Sequence, residues 1–142
     1  MTQARPRIVV AEDEAVIRMD LVETLREEGY DVVAQAADGQ TAVEQIHSYL
    51  PDVALVDIAM PGLDGIEVTR RVSESTAVVV VTAFGQRERI AQARDAGAMG
   101  YLVKPVGRDD LVPGIEMAWS GWLTLREARG QAVAPRGGAA GG

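Results

Sequence analysis

Four apolar runs in this chain end in polar side chains of complementary chemistry. Val53-Ala54-Leu55-Val56 ends in Asp57, and Ile8-Val9-Val10-Ala11 ends in Glu12-Asp13. The run from Ala77 to Val81 ends in Thr82, and Tyr101-Leu102-Val103 ends in Lys104-Pro105. In an open parallel sheet the carboxyl ends of the strands share one edge, and ligands bind there. Strands of one such sheet would therefore gather three carboxylates, a hydroxyl and an ammonium. Two unit charges about 4 Å apart repel by about 4 kcal/mol at an effective dielectric near 20. Three carboxylates so placed need a proton or a cation. Mg2+ suits them, because it takes oxygen ligands, keeps waters and bridges carboxylates to phosphates. A carboxylate can itself accept a phosphoryl group. Asp57 stands alone at its strand end and is the better nucleophile, whereas the adjacent Glu12 and Asp13 suit the metal. Thr82 can donate a hydrogen bond to a phosphoryl oxygen, and Lys104 can neutralise another.

Each residue also has a plainer reading. Asp57 fits a strand-end turn, Glu12-Asp13 fits the positive end of a helix dipole, and Thr82 and Tyr101 are ordinary strand residues. It is the coincidence of all of them at strand ends that favours a site. Lys104 adds weight, being the single lysine among 14 basic residues. A compact ammonium on a flexible stem is not interchangeable with the planar arginine fork.

Positioning these side chains requires strands alternating with helices. Strand-length apolar runs fall at 7–11, 31–36, 52–57, 77–82 and 99–103. The first, third and fourth are nearly all apolar, as strands covered on both faces must be. Helical periodicity fills 14–28, 40–49, 64–74, 86–96 and about 109–127; Ile17, Leu21 and Leu25 make one stripe, with Arg18, Glu23 and Glu27 off it. Gly29 and Gly97 stand where a helix stop wants a left-handed residue, and Asp109 or Asp110 can cap the last helix. Five such units with short connections give an α/β fold, a five-stranded parallel sheet between two helical layers. Right-handed crossovers leave few topologies, and the order 2-1-3-4-5, a flavodoxin-like sandwich, is the common one for five strands. That order puts a switch point between strands one and three, beside Glu12-Asp13 and Asp57.

The chain of 142 residues fits one domain. A net charge of -7 argues against non-specific nucleic-acid binding. The absence of cysteine excludes disulfides and thiolate chemistry. No apolar stretch reaches the roughly 18 residues of a membrane span, and Met1 to Arg7 lacks a signal-peptide core, so a cytoplasmic location is expected. His47, the single histidine, is expected on the surface; of Trp119 and Trp122 on the last helix, one is expected to be exposed. Residues 1–128 are expected to form the domain and 129–142 a flexible Gly/Ala-rich tail.

The set Glu12-Asp13, Asp57, Thr82 and Lys104-Pro105, with Met60-Pro61-Gly62, Asp64-Gly65 and Tyr101, resembles the receiver domain of bacterial two-component response regulators. The resemblance covers about residues 6–125. It implies a sensor histidine kinase as partner and transfer of phosphoryl to Asp57. It also implies Mg2+ held by Glu12, Asp13, Asp57 and the Ala59 carbonyl, with Thr82 and Lys104 on the phosphoryl group. Thr82 and Tyr101 would then act as a switch, altering the surface of helix 4, strand 5 and helix 5, which also offers a homodimer face. The Lys104-Pro105 bond is often cis in this family, as an X-Pro bond allows. Catalysis beyond self-phosphorylation and self-dephosphorylation is not implied. Ala59 and Phe84, two residues after Asp57 and Thr82, cannot position water, which implies slow self-dephosphorylation. An aspartate phosphatase of similar fold would want a second aspartate where Ala59 stands. Ala11-Glu12-Asp13-Glu14, Ile17-Arg18-Met19-Asp20-Leu21 and Thr82-Ala83-Phe84 are similar to regulators carrying an RNA-binding antiterminator (ANTAR) module. No such module follows the receiver-like part here, so RNA binding by this chain is not expected.

Overall fold

The computed structural model describes residues 5–137, with side chains described as far as residue 130. Five strands, β1 (Arg7–Ala11), β2 (Asp31–Ala36), β3 (Val53–Asp57), β4 (Ala77–Thr82) and β5 (Gly100–Val103), alternate with five helices, α1 (Ala15–Glu27), α2 (Gly39–Tyr49), α3 (Gly65–Val72), α4 (Arg87–Asp95) and α5 (Arg108–Gly137). The sheet is parallel throughout, in the order β2-β1-β3-β4-β5. Element boundaries match the expected ones closely, apart from the end of α5.

Alternation along the buried strands builds two cores. Val9, Ala11, Ala54, Val56, Val78 and Val80 pack with Ala42, Ile46, Ile66, Val68 and Ala93 of α2, α3 and α4. On the other face Ile8, Val10, Val53, Leu55, Ala77 and Val79 meet Leu21 and Leu25 of α1 and Leu111, Ile115 and Ala118 of α5. Every residue of β3 and β4 is buried, so these strands must be apolar up to the point where they leave the sheet. Asp57 and Thr82 sit at that point.

Two helices carry side-chain caps: Asp38 accepts from the Thr41 N–H at 2.8 Å, and Asp64 from the Glu67 N–H at 2.9 Å. Gly29 and Gly97 adopt φ of 92° and 113°, as a left-handed stop requires. A Cβ on Gly97 would also stand 2.5 Å from Ser73 Oγ.

Three expectations differ from the structure. α5 begins at Arg108, so Asp109 and Asp110 lie inside its first turn, where they meet the positive end of the dipole rather than cap it. α5 also continues to Gly137, well past 127. A nucleated helix extends at little cost per residue, which carries α5 past 127 despite the poor helix formers Gly130 and Pro135. The tail expected over 129–142 thus falls partly in α5, and its residues 138–142 lie outside the described residues. Trp119 and Trp122 are both half-buried against the α5 core face. They are three residues apart and so share one helix face. Trp122 donates its Nε1–H to the Ser73 carbonyl at 3.0 Å. His47 is exposed, as expected.

Candidate functional site

Strand register fixes the site. Ala11 pairs with Val56 and Asp57 with Val81, while Thr82 pairs with Val103. Glu12, Asp57, Thr82 and Lys104 therefore leave four adjacent strands at one edge. One carboxylate oxygen from each of Glu12, Asp13 and Asp57 lies within 4.8 Å of the other two. Glu12 and Asp57 are buried, and Asp13 is exposed. Lys104 Nζ stands 3.0 Å from Asp57 Oδ2, to which it donates, and 3.0 Å from Glu12 Oε1. The ammonium, from the end of β5, bridges two carboxylates from the ends of β1 and β3, an arrangement open to a single flexible amine. The Lys104–Pro105 peptide is cis.

The backbone holds the remaining carboxylate oxygens. Asp57 Oδ1 accepts from the Ala59 N–H at 3.1 Å, and Glu12 Oε2 from the Glu14 N–H at 3.0 Å. Gly65 permits the β3–α3 loop to close over Asp57, because a Cβ there would fall 2.3 Å from the Asp57 carbonyl oxygen. Asp64, the cap of α3, is tied to Arg89 of α4 at 3.1 Å.

Burial pushes the Glu12 carboxyl above the ordinary carboxylate range, against the opposing pull of the Glu14 N–H and Lys104. Burial alone would lower the Lys104 ammonium, but its bonds to Asp57 and Glu12 outweigh this and raise it. Glu12 Oε1 has Lys104 as a charge partner at 3.0 Å yet no hydrogen bond of proper direction. The site thus holds three carboxylates and one ammonium. Hard oxygen donors with a surplus of negative charge fit Mg2+.

Thr82 is buried at the same edge, but its hydroxyl donates to the Ala83 carbonyl at 3.3 Å. Tyr101 is 53% exposed and turned outward. The β5–α5 junction, α1 and Val81 enclose an apolar hollow beside Lys104, lined by Val16, Ile17, Leu21, Pro105 and Val106. Two contacts escaped sequence reasoning. Arg18, read only as lying off the α1 stripe, donates from Nη1 to the Glu12 backbone carbonyl at 2.7 Å. Arg89 pairs within the chain with Asp64. Neither has a sequence signal, since each partner is set by how a helix docks.

A sheet of this order with an acidic pocket at its switch point and a lysine bridging it is the architecture of a receiver domain. The chain belongs to the response regulator receiver domain family, whose model matches residues 8–116. It is 48% identical over 127 residues to the transcriptional regulatory protein PdtaR of Mycobacterium tuberculosis, a match covering 88% of this chain and 62% of PdtaR. The chain therefore spans less than two thirds of the length of that relative. It is 34% identical over 112 residues to the chemotaxis protein CheY of Bacillus subtilis, covering 77% of this chain and 93% of CheY. Among solved structures, the signal receiver domain of NarL from M. tuberculosis superposes with a TM-score of 0.79 at 34% identity, covering 84% of this chain and 99% of that one. Receiver domains of this family act in phosphorylation-controlled signalling and bind Mg2+ at an acidic pocket. Among the described residues no helix is long and apolar enough to cross a membrane.

Proposed function

We propose that Asp57 accepts the phosphoryl group from a sensor histidine kinase in the cytoplasm. The histidine N–P bond breaks as a bond forms from an Asp57 carboxylate oxygen to phosphorus. Glu12, Asp13, Asp57 and the Ala59 carbonyl would hold Mg2+, which when bound would supply positive charge to offset the negative charge of the incoming phosphoryl oxygens. Lys104 leaves its bridging position to meet one phosphoryl oxygen. The Thr82 hydroxyl turns from the Ala83 carbonyl to meet another. The observation that carries the reading is the Lys104 ammonium at 3.0 Å from both Glu12 and Asp57, in a pocket with carboxylates from two strands.

Phosphorylation adds about -1.5 to -2 charge. Movement of Thr82 leaves room behind it on β4, and Tyr101, now outward, turns in. The changed surface is that of α4, β5 and α5, where Tyr101 and Met117 are exposed. That surface serves a homodimer or an output partner. Transcriptional control, the role in the name of PdtaR, is the proposed downstream process. Self-phosphorylation and self-dephosphorylation are the only chemistry proposed.

The test is incubation with acetyl phosphate and Mg2+ followed by intact mass measurement. A mass gain that disappears in Asp57→Asn supports the reading. Steady turnover of a small phosphoester, or a gain that survives in Asp57→Asn, overturns it.

A further inference from the structure

Glu12 is anchored at every polar group but one. Its N–H donates to the Ala36 carbonyl at 2.9 Å, its Oε2 accepts from the Glu14 N–H, and its backbone carbonyl accepts from Arg18 Nη1 at 2.7 Å. Only Oε1 lacks a hydrogen bond. The carbonyl that Arg18 holds belongs to the peptide unit joining Glu12 to Asp13.

We propose that Arg18 is a positioning residue for the metal-binding acids: it fixes the plane of the Glu12–Asp13 peptide and so aims both carboxylates at one point. This rests on the reading of Glu12, Asp13 and Asp57 as metal ligands.

A peptide unit is planar, so its carbonyl oxygen and the following N–H and Cα turn together. Rotation of that plane changes ψ of Glu12 and φ of Asp13 and re-aims the Asp13 side chain. Asp13 needs such help. It is exposed, and among the described residues no hydrogen bond holds its carboxylate. The neighbouring anchor, the Glu14 N–H, is bonded to the Glu12 carboxylate itself, the group that must meet the ion. The Arg18 bond is independent of every ligand carboxylate.

The choice of partner also sets Arg18 apart. Among the described residues, Arg7 and Arg18 donate to backbone carbonyls, whereas Arg5, Arg70, Arg71, Arg89 and Arg108 pair with acidic side chains. Arg18 is half-buried and has no ion-pair partner among the described residues, although Glu14, the N-cap of α1, stands one turn before it. A charged donor to a neutral acceptor is a stronger bond than a neutral pair. Partners of this kind, which orient metal ligands without touching the metal, typically change affinity 10–100-fold when removed.

The experiment measures Mg2+ affinity by titration calorimetry in the native chain, Arg18→Met, Arg18→Lys and Asp13→Asn. Thermal midpoints and the Asp13 amide resonance are followed without metal. Arg18→Met is expected to weaken Mg2+ about tenfold, to shift the Asp13 amide, and to keep the phosphorylation rate from acetyl phosphate once Mg2+ is saturating. Arg18→Lys, which keeps one donor on a long stem, is expected to stay within about threefold of native. The deficit in Arg18→Met is expected to persist in high salt, because a hydrogen bond is not screened as a distant charge is. Native affinity in Arg18→Met overturns the proposal, as does a deficit that vanishes in salt or one that Arg18→Lys fails to reduce. If instead the ligand reading itself is wrong, the native chain gives no Mg2+ heat, or Asp13→Asn binds as the native chain does.

Discussion

Arg89, in the first turn of α4, donates to Asp64, the cap of α3, at 3.1 Å. One carboxylate thus caps the start of α3 beside the acceptor strand and fastens the helix that follows Thr82. The two functions differ in strength. An N-cap removed to alanine costs about 1 kcal/mol, whereas a half-exposed ion pair contributes a few tenths. Asp64→Ala is therefore expected to lower urea stability by about 1–2 kcal/mol and Arg89→Ala by less than about 0.5 kcal/mol. Equal losses in the two variants would contradict this division.

The same carboxylate predicts an acid limb of stability. Partial burial alone would raise Asp64, but the Glu67 N–H and Arg89 prevail and hold it below the ordinary carboxylate range. A depressed folded value stabilises the fold above the unfolded value, near 3.9. That contribution is lost as pH falls through the folded value. Asp64→Asn, which keeps an acceptor for the cap, is expected to flatten the dependence between about pH 5 and 3 in denaturant melts. A slope unchanged from native would show that other carboxylates carry it.

Lys104 is expected to matter most when metal is absent. Its removal leaves Glu12 and Asp57 buried and facing each other. Breaking a buried pair by deleting one partner costs about 3–5 kcal/mol, reduced here because Lys104 keeps 24% of its side-chain surface. Lys104→Met is expected to destabilise the metal-free chain at pH 7 by about 2 kcal/mol. The Glu12 carboxyl, already raised by burial, binds a proton more tightly folded than unfolded. Stability should therefore rise as pH falls towards 5 and drop as pH climbs through the folded value. Mg2+ should recover part of the loss at pH 7. Thermal melts across pH, with and without Mg2+, decide this.

Gly65 tests the closeness of the β3–α3 loop to the acceptor. A Cβ would stand 2.3 Å from the Asp57 carbonyl oxygen and 2.7 Å from Ile58 Cα, both backbone atoms that cannot yield alone. Gly65→Ala is expected to cost about 1–3 kcal/mol and to slow phosphorylation by acetyl phosphate. Native rate and stability together would mean the loop has slack.

Ala59 and Phe84 both face solvent near the acceptor, and Phe84 is 89% exposed. Neither can hold an attacking water by hydrogen bonding, which predicts a long-lived acyl phosphate on Asp57. Ala59→Asn adds one amide and is expected to speed loss of the phosphoryl group by up to about tenfold, or roughly 1.4 kcal/mol of barrier. An unchanged decay of the phosphorylated mass species would remove the idea.

Much of the site was legible before folding was considered. Glu12, Asp13, Asp57, Thr82 and Lys104 stood out because buried parallel strands must be apolar until they leave the sheet, so the first polar residue marks the exit. Other features were not legible. Asp109 and Asp110 looked like caps because the sequence does not reveal that α5 starts one residue earlier. The two tryptophans looked divergent because a stripe was judged too narrowly. The Arg89–Asp64 pair gave no signal in the sequence, since its two members lie on different helices.

The order of apolar runs, turns and helical stripes by itself determined a five-stranded parallel sheet with helices on both faces, and handed crossovers narrowed its topology to a few. It also determined which side chains reach one edge. The structure decided the order β2-β1-β3-β4-β5. Only the tertiary structure decided that a single ammonium sits 3.0 Å from both Glu12 and Asp57, that the Thr82 hydroxyl turns to Ala83, and that Arg18 grips the Glu12 carbonyl. Those are directions in space set by helix docking and rotamer choice. Residue spacing along a chain carries no record of them.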